Sequence, residues 1–301
     1  MQVSHPDKML FPEDGISKEE VVAYYEAVSG VMVPHLAGRP LTLERYPQGV
    51  TAKGFMQKNA AKGYPSTIGR VEVPKADGSV THPMVSSSEG LLYLANQNTI
   101  TFHVWTSRLP QLERPDRLVL DLDPPEEGFK AVRKAATVIA DLLAEVGLEA
   151  GLMATGSSGY HLVVPIRADH QFEAVERFSR LLAGVAGARH PLLLTTEFLI
   201  RKREGRVFID WLRNRWAQSV VAPWSLRPLP RAPVATPIPW EDLNETEPGR
   251  WTIKTAPSRI SLPDPWPAPQ TLPVAQIEAF AAEAGVSADE SFDRFGRAQR
   301  S

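Results

Sequence analysis

Arg117-Leu118-Val119-Leu120-Asp121-Leu122-Asp123-Pro124-Pro125 decides how the chain is read. An apolar run passes into alternation, and both polar members of that alternation are aspartates. Side chains alternate faces along an extended strand, so Asp121 and Asp123 point the same way, about 7 Å apart. Two carboxylates so placed repel each other, and a shared cation is the usual remedy. Pro124 and Pro125 end the strand, because proline cannot continue a sheet ladder. A bare Asp-x-Asp is short and common. A turn-starting aspartate beside a solvated one explains it equally well. The flank Leu118, Val119, Leu120 and Leu122 favours a buried strand, where a carboxylate without a partner is costly.

The chain around this strand has 301 residues, 43% hydrophobic and 23% charged, which is ordinary globular composition. Cysteine is absent, which excludes disulfides and cysteine zinc sites and suits a reducing, cytoplasmic setting. Met1-Gln2-Val3-Ser4-His5-Pro6 lacks an apolar signal region, and no apolar run reaches membrane-spanning length. A net charge of −2 excludes a globally basic nucleic-acid binder. The distribution says more: eight basic residues lie between Arg201 and Arg231, opposed only by Glu204 and Asp210. Such a run is a phosphate-binding patch or a solvated surface.

Upstream, Ser17-Lys18-Glu19-Glu20 reads as a capping box opening a helix that Pro34 and Gly38-Arg39-Pro40 close. Lys8 precedes this helix and Lys18 sits in its first turn, where a cation opposes the helix dipole. An anion such as a phosphate at this helix start accounts for both lysines, and so does plain surface exposure. Leu41 to Tyr46 alternates as a strand. Phe55, among Lys53, Lys58 and Lys62, is either a base-stacking aromatic or a core residue. Arg70 to Pro74 and Ser79 to Val85 form a hairpin about Asp77-Gly78. In the strand Ile100 to Trp105, His103 faces away from Ile100, Phe102 and Val104.

Downstream, Phe129 to Val146 is an amphipathic helix closed by Gly147. Gly156-Ser157-Ser158-Gly159 is a small-residue turn whose N–H groups can cradle a phosphate, although any tight turn uses such residues. It leads into a strand carrying His161. Phe172 to Val185 is a second amphipathic helix. Arg206 to Trp211 is a strand that embeds Asp210, a third carboxylate among apolar residues and the natural companion of Asp121 and Asp123. Pro223 to Pro273 holds 13 of the 27 prolines and reads as an extended wrapping segment with little regular structure. One domain over 1–301 is expected: a core over 1–227, the wrap over 228–272, and a last helix with a polar tail over 273–301.

The sequence resembles the archaeo-eukaryotic primase superfamily, and within it the polymerase domain of bacterial ligase D and its stand-alone primase-polymerase relatives. The resemblance rests on Ser4-His5-Pro6-Asp7-Lys8, His35-Leu36-Ala37-Gly38-Arg39-Pro40, Gly54-Phe55 with Lys58-Asn59, and Phe102-His103-Val104. It continues through Asp121-Leu122-Asp123-Pro124, Gly156-Ser157 with Gly159 and His161-Leu162, Val207 to Trp211, and Ala222-Pro223 with Ser225-Leu226-Arg227. It implies an α/β (α+β) core in which two β-sheets flank a central cleft, with helices outside. It also implies template-dependent nucleotidyl transfer into short gaps or at ends of DNA in repair, with ribonucleotides often favoured.

Position by position, the resemblance implies that Asp121, Asp123 and Asp210 hold two divalent ions, Mn²⁺ or Mg²⁺. His103, Thr155, Ser157, His161, Arg203 and Arg227 would hold an NTP or dNTP, with Arg45 near the incoming nucleotide. Lys8 and Lys18 would grip the 5′-phosphate across a gap, and Phe55 would stack on the template. A DNA ligase and an end-binding protein are the implied partners, in the bacterial nucleoid. Three positions depart from the pattern: Ser158 replaces a usual lysine, Met56 a frequent second aromatic, and Arg213 a frequent glutamine. A catalytically silent DNA-end-binding module and a metal-dependent phosphoesterase are the rival readings.

Overall fold

In the computed structural model, residues 2–75, 77–125 and 129–287 are described. The expected polar tail lies outside them from residue 288 on. The chain opens with short strands β1 (Met9–Phe11) and β2 (Ile16–Ser17), where the sequence reads as irregular. Helix α1 (Lys18–Leu36) starts as expected: Ser17 Oγ accepts the Glu20 N–H and Glu20 Oε2 accepts the Ser17 N–H. Pro34 does not close it. The helix runs two residues further, because losing one N–H in the final turn costs little where the helix is ending anyway.

Strands β3 (Leu41–Arg45) and β4 (Phe55–Gln57), the hairpin β5 (Gly69–Lys75) and β6 (Gly78–Met84), helix α2 (Ser88–Asn96) and strand β7 (Thr99–Val104) follow. Then come β8 (Arg117–Asp123), α3 (Phe129–Glu145), β9 (Gly151–Ala154), β10 (Tyr160–Pro165), α4 (Phe172–Arg189), β11 (Leu194–Thr195), β12 (Val207–Asp210), β13 (Val220–Val221), β14 (Thr236–Ile238) and α5 (Val274–Glu283).

Two larger sheets organise the described residues. One has six strands in the order β11-β12-β8-β10-β9-β14, and the other has four in the order β13-β7-β3-β4. The alternation in β8 explains their arrangement. Leu118, Leu120 and Leu122 are fully buried in a core with α3 and α4. Val119, on the other face, joins Val163 in a second core with α1, α2 and the four-stranded sheet. Each buried leucine contributes about 1.5–3 kcal/mol. The polar end of β8 is therefore left facing the side of the four-stranded sheet. Arg39 fastens the two halves: its guanidinium, 1% exposed, donates to both Asp116 oxygens at 2.7 and 2.6 Å, just ahead of β8.

The proline-rich segment does more than wrap. Thr236–Ile238 pairs with β9 as the sixth strand of the larger sheet. An edge position tolerates Pro237, whose missing N–H has no neighbour to serve. No helix among the described residues is long and apolar enough to cross a membrane.

Candidate active site

Strand register assembles the site. Asp121 lies opposite His161 of β10 on one side and opposite Asp210 of β12 on the other. Directly opposed residues present side chains to one face, so these three form a row across the sheet. Asp123 shares that face, opposite Phe208. His161 Nε2 stands 3.3 Å from Asp121 Oδ1. Arg213 Nε lies 3.2 Å from Asp121 Oδ2 and 3.1 Å from Asp210 Oδ2. Asp210 Oδ1 accepts the Leu212 N–H at 3.0 Å. Arg203 lies over the Phe208 ring at 4.0 Å, with its Nη1 3.9 Å from Asp123 Oδ2.

These neighbours separate the three acids electrically. Burial alone would raise Asp121, but His161 and Arg213 hold its carboxyl well below the usual range. Asp123 is pushed up, by burial first and then by the Asp121 charge. Burial also raises Asp210, with Asp121 adding to it against Arg213. The row carries more negative charge than its built-in cations neutralise evenly. Among the described residues, no three His, Asp or Glu side chains converge as a preassembled metal site. The donor set nonetheless suits hard divalent cations, which take carboxylate oxygens.

The small-residue turn borders β8. Thr155 Oγ1 donates to the Gly159 carbonyl at 2.9 Å and accepts the Ser157 and Gly159 N–H groups at 3.3 and 3.4 Å. The Thr155 hydroxyl is thereby spent on shaping the turn. Both glycines are required. Gly156 has φ +71°, and a Cβ on Gly159 would fall 2.0 Å from the Leu122 carbonyl oxygen. Half-buried Ser157 lines an open cavity of about 1050 Å³ with Pro124, Phe129, Ser158, Arg203 and Arg206.

From the four-stranded sheet come His103 and Glu44. The His103 Nε2 to Glu44 Oε2 distance is 3.6 Å, and Tyr46 donates to Glu44 Oε1 at 2.7 Å. Burial works to raise Glu44, but His103 and Tyr46 hold it at about 2. Burial lowers His103. Arg227 Nη1 donates to the Thr155 carbonyl at 3.4 Å, joining this side to the turn. Its charge is felt by both Glu44 and Asp121. Three polar atoms here are buried without a hydrogen-bond partner among the described residues: His103 Nε2, His161 Nδ1 and Arg227 Nε. Such atoms are rare and costly in folded proteins.

The structure thus gathers Asp121, Asp123, Asp210, His161, Arg203, Thr155, Ser157, Arg227 and His103 around the end of β8. Four other sequence candidates have different surroundings. Arg45 donates to the Gln97 carbonyl at 2.9 and 2.6 Å and to Gln57 Oε1 at 2.6 Å. It also lies 5.5 Å from the Phe55 ring centroid, so its partners are Gln97, just after α2, and Phe55 and Gln57 of β4. Phe55 is 47% exposed on β4, which excludes the core reading. Lys18 is 3% exposed, not a surface lysine, and its ammonium donates to Ser4 Oγ at 2.7 Å. Burial, then the charge of Lys8, lowers its pKa. Lys8 donates to the Pro47 carbonyl.

Sequence reasoning missed Glu44, although its alternation with Leu41 and Leu43 placed it on the cleft face. It also missed Asn214. That side chain is fully buried and bonds both the N–H and C=O of Val119, at 2.8 and 2.7 Å. Asn214 extends the ladder of β8 and fixes the turn after Asp210, and no local pattern signals it.

Comparison with known proteins is consistent with this geometry. A family model described as LigD, primase-polymerase domain, matches residues 17–266. The multifunctional non-homologous end joining protein LigD of Mycolicibacterium smegmatis is 33% identical over 250 residues, covering 82% of this chain and 33% of that protein. The bifunctional LigD of Bacillus subtilis is 30% identical over 263 residues, covering 86% of this chain and 42% of that protein. The chain therefore spans between a third and a half of these curated relatives. The polymerase domain of Mycobacterium tuberculosis ligase D, solved in complex with DNA, superposes with a TM-score of 0.82 at 30% identity, over 87% of this chain and 94% of that one. The chain belongs to the LigD primase-polymerase domain family.

Proposed function

We propose that this chain is a template-dependent nucleotidyltransferase that extends a primer strand at gaps or broken ends of DNA, drawing on NTPs or dNTPs with ribonucleotides preferred, in bacterial double-strand-break repair. Residues 1–301 act as one primase-polymerase unit beside a ligase and an end-binding protein, in the cytoplasm at the nucleoid. The observation that carries the reading is the set of buried polar atoms without a hydrogen bond on the side chains beside the acidic row. His161 Nδ1 and Arg227 Nε make no hydrogen bond, His103 Nε2 has only the long 3.6 Å contact with Glu44, and the charges of Arg227 and Asp121 act on each other. Phosphate oxygens satisfy all three, and a triphosphate is long enough to reach more than one of them.

On this reading Asp121, Asp123 and Asp210 hold two divalent ions, Mn²⁺ or Mg²⁺. Their hard oxygen donors and unevenly compensated charge fit such ions. The bound ions would activate the primer hydroxyl and stabilise the leaving oxygens. The protein's own contribution is placement. Arg203, held over Phe208, and Arg227 present forked donors to phosphate oxygens. The Thr155-closed turn offers the backbone N–H of Ser158, those of Ser157 and Gly159 being taken by Thr155 Oγ1. His161 steadies Asp121 while keeping Nδ1 for the ligand. Lys8 and Lys18 take the 5′-phosphate downstream of a gap, and Phe55 stacks on the template base.

The test is primer extension on gapped duplexes with Mn²⁺ and each NTP or dNTP. Asp121→Ala with Asp123→Ala is expected to abolish extension while DNA binding persists. Undiminished extension by the double variant would overturn the reading.

A further inference from the structure

Arg213 is the one feature of the acidic row that the nucleotidyl-transfer reading leaves unexplained. It sits between two of the three acids, where the ions are expected. Its Nε is shared between Asp121 Oδ2 at 3.2 Å and Asp210 Oδ2 at 3.1 Å. Asp123 makes no such contact; its nearest described cation is Arg203 at 3.9 Å.

We propose that Arg213 is a built-in counter-cation on the Asp121–Asp210 side of the centre, and that a divalent ion enters there only by displacing it. The inference rests on the metal-binding reading of the three aspartates.

A guanidinium stays charged at any working pH, so it cannot yield the site by losing a proton. Placing it beside a divalent ion sets a positive charge of three against two carboxylates at contact distance. It must therefore move, and the structure leaves it a route. The Arg213 side chain is 36% exposed, whereas Asp121 and Asp210 are nearly buried. The backbone beneath it is fixed, by Asn214 to Val119 and by the Leu212 N–H to Asp210. Displacement is then a rotation of one side chain on a rigid turn. Two consequences follow. Ion binding is unequal, with the Asp123 side filling first and the Asp210 side later. The metal-free protein is also spared the repulsion among its own aspartates.

The experiment titrates the purified protein with Mn²⁺, reading free ion by electron paramagnetic resonance and following thermal unfolding in parallel. Wild type is expected to show a stronger and a weaker site. Arg213→Gln is expected to lower the half-saturating Mn²⁺ of the weaker site by about tenfold, the size of one charge-assisted contact. It is also expected to melt earlier without metal and to regain wild-type melting when saturated. Arg213→Met, which keeps the stem and removes the charge, repeats the comparison should the glutamine variant fold poorly. Arg213 variants that bind Mn²⁺ no more tightly than wild type overturn the proposal while leaving the metal reading intact. Mn²⁺ binding that is unaffected by Asp121→Asn and Asp210→Asn overturns both.

Discussion

Asp121 and His161 face each other in register across β8 and β10, with His161 Nε2 3.3 Å from Asp121 Oδ1 and its Nδ1 buried without a partner. On the proposed reading one ring orients a carboxylate and keeps its other nitrogen for the nucleotide. His161→Ala removes both roles at once. Loss of such a supporting contact typically costs about 10- to 100-fold in activity or metal affinity. Single-nucleotide insertion kinetics are expected to show that loss in kcat/KM with the fold unchanged by circular dichroism. A variant within twofold of wild type would remove His161 from the site.

Gly159 holds the turn against β8. Any Cβ there meets the Leu122 carbonyl at 2.0 Å, between Asp121 and Asp123 in sequence, and backbone cannot yield as a flexible side chain can. Gly159→Ala is expected to cost more than about 2 kcal/mol, as overpacking does, and to weaken nucleotide binding with it. Gly187→Ala is the control. It lies in α4 with open space around its Cβ position and ordinary backbone geometry, and gains about 0.5–1 kcal/mol. Urea unfolding of the two variants checks the contrast.

The acidic row was legible because a strand period of two fixes which side chains share a face. That period put Asp121 and Asp123 on one face, the apolar run before them favoured a buried strand, and the apolar flank of Asp210 marked a third carboxylate of the same kind. The strand order was not legible, since pairing β8 between β10 and β12 depends on long-range packing of α3 and α4. The same limit hid β14: Pro237 and the prolines around it read as irregular chain, yet an edge position accepts Pro237. The burial of Lys18 was not legible because helix-start signals are local, while Ser4, which takes its ammonium, comes from the N-terminal segment. Arg213 stood out as an odd residue, but its bridge between two strands is a tertiary fact.

Lys8 and Lys18 sit together at the start of α1, and burial with the neighbouring charge already lowers Lys18. A phosphate dianion there relieves both the repulsion and the burial cost. Wild type is expected to bind gapped DNA bearing a downstream 5′-phosphate more tightly than DNA lacking it, and Lys8→Ala is expected to abolish that preference. Fluorescence anisotropy with paired substrates measures it. An undiminished preference in both Lys8→Ala and Lys18→Ala would place the phosphate elsewhere.

Phe55 presents an exposed ring on the edge strand β4, backed by Arg45 at 5.5 Å. Phe55→Ala is expected to lower the melting temperature only slightly, because about half of the ring is already exposed. Its effect falls on DNA: removing one base-stacking ring costs about 1–3 kcal/mol. Binding to a template overhang is expected to weaken accordingly, and binding to blunt duplex much less. Equal losses on both substrates would assign Phe55 to general surface contact.

His35 gives the fold an acid sensitivity remote from the acidic row. It is buried at the end of α1, edge-on to Trp266, with its Nε2 3.4 Å from Asp264 Oδ2. Burial, then Arg117 and Arg39, lowers its pKa from 6.5 to about 3. The unfolded chain takes up a proton below 6.5 that the native protein refuses until about 3. The stability contributed by neutral His35 is thus complete above the upper value and is lost as pH falls toward the lower one. The slope is at most about 1.4 kcal/mol per pH unit for one proton. His35→Gln, which keeps a polar side chain and cannot titrate, is expected to have a flatter pH profile. Between pH ~7.5 and ~5 the wild type should lose up to about 2 kcal/mol more than the variant in urea unfolding. Parallel curves for the two proteins across that range would show that His35 is already protonated in the native state.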